Sequence, residues 1–219
     1  MDQKQVFGDG EGDAWYLRNA ERMHTRTSFP DLEVLLPLVR PDWSVLEIGC
    51  SDGTKLDHFR RNLPETGLTL AGIDPAAGAI EGGRTRYPGI DLRVGTADEL
   101  PFDASAFDLV ILGFCLYLLD RRSVFAAVAE VDRVLSPGGL VSITDFAPPV
   151  PERRPYHHRE GVFSFKNDHA AFFLGGGHYS LAAKHVITPE PGAIQRPGGD
   201  RMATTILFKE HFEDIYPVR

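Results

Sequence analysis

Short apolar runs recur along the chain at 45–48, 68–73, 91–95, 107–112 and 140–144. The runs at 45–48 and 107–112 carry no polar alternation at their centres, which predicts strands buried on both faces of a parallel sheet. Between the runs the apolar spacing turns helical. Two helices are predicted near the start, at 14–24 with Asp13 as N-cap and at 31–39. A third follows Gly53 over 54–63, and a weaker one starts at Pro75, where Gly78, Gly82 and Gly83 each cost about 1 kcal/mol against Ala. A fifth, capped by Asp120 and running to Leu135, places Val124, Phe125, Val128, Val131, Val134 and Leu135 near 3.6-residue spacing. Helix and strand alternate through the first 146 residues, the pattern of a parallel sheet with helices on both faces.

The last third is patterned differently. Residues 147–155 are proline-rich, and 153–159 concentrate Arg153, Arg154, His157, His158 and Arg159. A short helix is expected at 169–174, capped by Asn167 and Asp168 and ended by three glycines. Strands are expected at 181–188 and 203–209, joined by a Pro/Gly-rich loop at 189–202. Residues 1–12, polar and glycine-rich, read as a mobile arm.

Composition narrows the function. The length of 219 residues suits one domain, 1–219, comprising a helical cap (1–40), a core (41–146) and a C-terminal segment. A formal net charge of -8 argues against a nucleic-acid or anionic-membrane binder. Two cysteines, Cys50 and Cys115, form no disulfide framework and fit a reducing cytoplasm as small buried residues. No apolar run approaches the roughly 20 residues of a membrane span, and the N-terminus lacks a signal-peptide core. A soluble cytoplasmic protein is the expectation.

Candidate chemistry concentrates at 44–54, Ser-Val-Leu-Glu-Ile-Gly-Cys-Ser-Asp-Gly-Thr. A strand, a glycine turn and a helix N-terminus in that order gather backbone N–H groups, which suits a polar or anionic ligand. The dinucleotide fingerprint G-x-G-x-x-G fails, because Ser51 and Thr54 stand where its second and third glycines belong. Asp74, ending the next strand, has two readings: an acceptor for both hydroxyls of a ribose, or the cap of the helix starting at Pro75. The cluster Trp15, Tyr16, Arg18 and Asn19 could face a ligand or pack on the sheet.

The stretch 47–53 resembles motif I of the class I S-adenosylmethionine (SAM) dependent methyltransferases, acidic-x-Gly-x-Gly-x-Gly. Glu47, Gly49 and Gly53 match, and Ser51 replaces the middle glycine. Residues 95–102 resemble the segment that holds adenine in that family: Gly95, Ala97, Leu100, Pro101 and Phe102 match, while Thr96 replaces the usual acid and Asp98 is the alternative acceptor. The run 131–139, ending Ser-Pro-Gly-Gly, is similar to a late motif whose role is a helix stop and tight strand entry.

The resemblance implies a Rossmann-like three-layer α/β sandwich with a seven-stranded, mostly parallel sheet in the order 3-2-1-4-5-7-6 and an antiparallel C-terminal strand. It implies SAM as cofactor, with the methionine tail over Glu47, Gly49, Cys50, Ser51 and Gly53, the ribose at Asp74 and Pro75, and the adenine at Thr96, Ala97 and Asp98. Gly113 and Phe114 would cross the ligand end of the sheet, and Trp15 and Arg18 would cover the cofactor from the cap. The implied activity is methyl transfer to an O or N atom of a small-molecule acceptor, an anionic one suiting the basic turn. Candidate bases are His157, His158 and Tyr117. Two other readings stay open: use of a different SAM carbon with release of methylthioadenosine, and a non-catalytic SAM-binding partner subunit, favoured by the off-pattern Ser51 and Thr96. No metal-ligand spacing emerges among the histidines.

Overall fold

The computed structural model describes residues 2–63, 67–187 and 201–217. The N-terminal segment is not an arm. Helix α1 (Gln3–Val6) runs through a π-helical turn (Phe7–Glu11) into α2 (Gly12–His24), and α3 (Pro30–Leu35) follows. Gln3 explains why the arm is ordered. Its carboxamide donates to Leu118 O (2.7 Å) and Phe163 O (3.0 Å) and accepts from Phe163 N–H (2.8 Å), so a polar side chain docks by pairing backbone groups.

The core alternates β1 (Ser44–Ile48), α4 (Thr54–Asn62), β2 (Thr69–Asp74), α5 (Ala77–Arg86), β3 (Asp91–Val94), β4 (Phe107–Gly113), α6 (Arg121–Val134) and β5 (Leu135–Phe146). Asp120 caps α6 as expected, accepting from the N–H groups of Arg122 and Ser123. Asp13 is not the cap of its own helix. Its carboxylate accepts from Gly78 N–H (2.9 Å) and Ala79 N–H (3.3 Å) and so caps α5 from across the cap.

After β5 come a hairpin of β6 (Glu152–Pro155) and β7 (Phe163–Lys166), a short α7 (Ala171–Leu174), β8 (Tyr179–Ile187), β9 (Met202–Lys209) and α8 (Phe212–Ile215). The seven-stranded sheet has the order β3-β2-β1-β4-β5-β9-β8, with β8 and β9 antiparallel. This is the expected topology, its last two strands numbered later because β6 and β7 form a separate sheet. That hairpin adds two strands to the proline-rich and basic stretch beyond those expected from the sequence: Arg153 stacks on Phe163 at 4.4 Å, and Arg154 pairs with Glu152. The expected 189–202 loop falls mostly outside the described residues.

Successive strand residues face opposite layers. Leu46, Ile48, Val110 and Val141 pack with Val124, Ala127 and Val131 of α6. Val45, Leu109 and Ile111 pack with Leu32 of α3, Leu56 and Phe59 of α4, and Ile80 of α5. Phe125, expected on the buried stripe of α6, is exposed instead. Glu47 alternates onto the α3/α4 face, where a carboxylate must find a cation or a ligand.

Candidate cofactor and acceptor site

β1 ends in a turn whose shape depends on small residues. Gly49 has φ +76°, and a Cβ there would stand 2.9 Å from that of Cys115. Ser51, at the middle glycine of the motif, takes the left-handed conformation at φ +53°. Gly53 caps α4 at φ +80° against Leu92.

Five of the amides gathered at the turn are already engaged within the fold. Gly49 and Cys50 N–H donate to Ile73 O, Gly53 N–H to Cys50 O, and Thr54 N–H to Asp52. Ser51 N–H donates to Asp74 Oδ2 at 2.8 Å, and Ala76 N–H donates to Asp74 Oδ1 at 2.9 Å. Asp74 therefore does cap the start of the α5 segment. Burial nevertheless pushes its carboxyl up to about 6, with Asp13 and Asp52 adding to the push and the two N–H groups opposing it.

A cavity of about 860 Å³ opens above these strand ends. Of the sequence candidates it is lined by Glu47, Gly49, Cys50 and Ser51 from the turn, and by Asp74 and Pro75 after β2. Thr96, Ala97 and Asp98 form one end, Gly113, Phe114 and Tyr117 another side, and Trp15 part of the roof. Four candidates stand elsewhere. Gly53 is a helix cap packed on Leu92. Arg18 is bound to Glu11 (2.5 Å) and the Tyr156 hydroxyl (3.4 Å). His157 and His158 are exposed on the turn between β6 and β7 and do not line the cavity. A run of basic residues in sequence became one end of a hairpin, aimed at solvent.

Two oxygens on the cavity wall are buried and unpaired: Glu47 Oε2 and Ser51 Oγ. Glu47 Oε1 meets Lys55 Nζ at 3.0 Å, and the same ammonium meets Asp31 at 2.9 Å. Burial raises the Glu47 carboxyl and Lys55 opposes it. At the Thr96–Asp98 end, burial of Asp98 is outweighed by bonds from Thr96 and from Lys4 (3.1 Å), which hold its carboxyl below the usual range. Helix α6 fixes this loop: Glu130 accepts from Leu100 N–H, and Arg133 donates to Leu100 O and Phe102 O. Burial raises the thiols of Cys50 and Cys115, so neither is a ready nucleophile. Tyr117 is raised by burial and by Asp145, so its hydroxyl stays protonated. No group of three or more metal-type ligands occurs among the described residues.

Sequence reasoning missed the rest of the lining. Lys4 and Phe7 come from the supposed arm, Arg22 and Arg26 from the end of the cap, and Phe146, Ile187 and Met202 from the far side of the sheet. Only Lys55, one residue into α4 beside the motif, carried a local signal.

The comparisons bear on this geometry. Residues 45–139 match the methyltransferase domain family. Over that stretch the core is similar to the class I SAM-dependent methyltransferases. A phthiotriol/phenolphthiotriol dimycocerosates methyltransferase of Mycobacterium ulcerans is 34% identical over 104 residues, 48% of this chain and 38% of that protein. A demethylmenaquinone methyltransferase of Renibacterium salmoninarum is 31% identical over 109 residues, covering 50% of this chain and 44% of its own. The chain thus spans less than half the length of these relatives. A Burkholderia thailandensis 1,6-didemethyltoxoflavin-N1-methyltransferase, solved with 1,6-didemethyltoxoflavin and S-adenosylhomocysteine, shares the fold: TM-score 0.65 at 18% identity, over 95% of this chain and 87% of that one.

SAM is the cofactor of this family, and the residues present fit it. The wall mixes acids (Asp31, Glu47, Asp74, Asp98) with bases (Lys4, Arg22, Arg26, Lys55), and its unpaired buried oxygens, Glu47 Oε2 and Ser51 Oγ, suit the donors of a molecule carrying an ammonium group.

Proposed function

We propose that the protein is a SAM-dependent methyltransferase acting on an O or N atom of a small molecule with a planar, apolar body. The observation that carries the reading is the pair of unpaired, buried oxygens, Glu47 Oε2 and Ser51 Oγ, set beside Asp74 under the helical cap. Glu47 and Ser51 would hold the methionine end, Asp74 the ribose, and Thr96, Ala97 and Asp98 the adenine. When bound, the cofactor supplies an electrophilic methyl group on a sulfonium sulfur.

The chain's part is then orientation and exclusion of water. α1 and α2 roof the cavity, and Trp15 and Phe7 turn apolar surface into it. The volume lies in the upper part of the range of about 300–1,000 Å³ for small-molecule sites, which supports room for an acceptor beside the cofactor. Phe114 and Tyr117 each pack edge-on to Phe146, at 5.9 and 5.1 Å, and Ile187 and Met202 line the same cavity. That apolar shelf supports a ring-bearing acceptor. Arg22 and Arg26 are the cap cations available to an anionic substituent. Tyr117, kept protonated, serves as a hydrogen-bond donor to the acceptor rather than as its base.

The test is calorimetry with SAM, followed by mass spectrometry after incubation with phenols, quinols and aromatic amines, with and without a carboxylate. S-adenosylhomocysteine together with a methylated product is expected. Release of methylthioadenosine instead would assign another carbon of the cofactor, and absence of SAM binding would defeat the reading.

A further inference from the structure

Three charged side chains from separated segments meet in the cavity wall: Asp31 in the first turn of α3, Glu47 on β1 and Lys55 in the first turn of α4. Their side chains are 7%, 2% and 15% exposed, so all three charges are largely withdrawn from water. Lys55 Nζ lies 2.9 Å from Asp31 Oδ2 and 3.0 Å from Glu47 Oε1. Space for the ammonium depends on Gly113, where a Cβ would fall 2.5 Å from Nζ. Two acids around one base leave one negative charge over, and Glu47 Oε2, buried without a partner, is where a donor is missing.

We propose that Lys55 is a positioning residue for the cofactor: clamped by Asp31, it holds Glu47 through Oε1 and so keeps Oε2 turned to receive the α-ammonium group of the methionine end. The inference rests on the SAM reading above. Its chemistry follows from the surroundings of Glu47. Burial, Asp31 and Asp74 all favour the neutral acid there, and Lys55 opposes them. A neutral Glu47 would present a donor where an acceptor is needed. Burial also works to discharge Lys55, but the two carboxylates outweigh it and keep the ammonium charged. Asp31 brings α3 into the arrangement, although it lies well outside the glycine-turn motif.

Two ligands that do not turn over separate this role from general support of the pocket. S-adenosylhomocysteine carries the amino-acid end, and methylthioadenosine has the same nucleoside and thioether without it. By calorimetry, Lys55→Met is expected to weaken S-adenosylhomocysteine about tenfold or more while methylthioadenosine stays within about twofold. Glu47→Gln should show the same split, and adding Lys55→Met to Glu47→Gln should cost little further, because both act through one oxygen. Equal weakening of both ligands, or no change in either, overturns the proposal. If Lys55→Met fails to fold, Asp31→Asn loosens the clamp without removing the lysine, and the same split or its absence decides. Wild-type protein that binds neither ligand would defeat the SAM reading itself.

Discussion

Asp74 is half-buried at the end of β2 with both oxygens already accepting backbone N–H groups, and each oxygen keeps a lone pair for a further donor. With its carboxyl pushed up to about 6, the charge such a ligand needs is lost within reach of neutral pH. A carboxyl raised on folding stabilises the ligand-free fold at low pH, and that contribution disappears as pH rises through 6. Ligand binding runs the other way, since the ionised form is the acceptor. S-adenosylhomocysteine should therefore bind about tenfold more weakly at pH 5 than at pH 7.5, and Asp74→Asn should flatten the profile. A flat profile in the wild-type protein would take Asp74 away from the ribose. Glu47, Gly49, Ser51 and Asp74 were legible because their geometry is local to one strand end. Ser51 shows why the family pattern has glycine there: φ +53° is a conformation in which a side chain is uncommon. Asp31, Lys4 and Arg22 were not legible, because their partners are set by the tertiary fold. His157 and His158 misled for the opposite reason, neighbours in sequence without a shared target.

Among elements, the cap depended most on contacts that no periodicity reveals. Helix α2 was foreseen, but its N-terminal continuation was read as an arm because Gly8, Gly10 and Gly12 lower helix propensity. Side chains hold it instead. Gln3 bonds Leu118 and Phe163, Lys4 reaches Asp98, and Tyr156 donates to Glu11. At the other end of the cap, Asp52 accepts from Arg86 and meets His24 at 2.6 Å. Asp13 joins two elements at once, since the α5 cap residue Ala76 makes no side-chain cap bond of its own and Asp13 supplies one. Asp13→Ala should cost about 1 kcal/mol, the usual worth of an N-cap. For a chain of this size that lowers the midpoint of thermal unfolding by roughly 2–4 °C. It should also speed exchange of the amides at the start of α5. An unchanged midpoint together with unchanged exchange would mean that water replaces the carboxylate without loss.

At the scale of the whole molecule, the sheet order was legible because alternating buried runs and helices leave few ways to wind a parallel sheet. The β6–β7 hairpin was not, since it lies over the core rather than in its sheet. Its consequence is a cavity walled by parts that can separate: strand ends below, α1 and α2 above, and the hairpin bracing the cap through Gln3 and Tyr156. A ligand held in this way touches the cap as well as the strand ends, and the cap opens by breaking a handful of side-chain contacts rather than a core. Trypsin reads that opening, because cleavage after Lys4, Arg18 or Arg22 requires the helix around them to unfold locally. If the open form does not bind, ligand at a hundred times its Kd lowers the open population about a hundredfold. Loss of the cap from the intact chain should slow accordingly with S-adenosylhomocysteine, while cleavage elsewhere changes little. Replacing Lys4 by Met removes the tie to Asp98 along with one trypsin site, and should raise the ligand-free rate of cleavage after Arg18 and Arg22 without abolishing the protection. If saturating ligand left cap cleavage at its ligand-free rate, the cofactor would have to enter by a route that does not move α1 and α2.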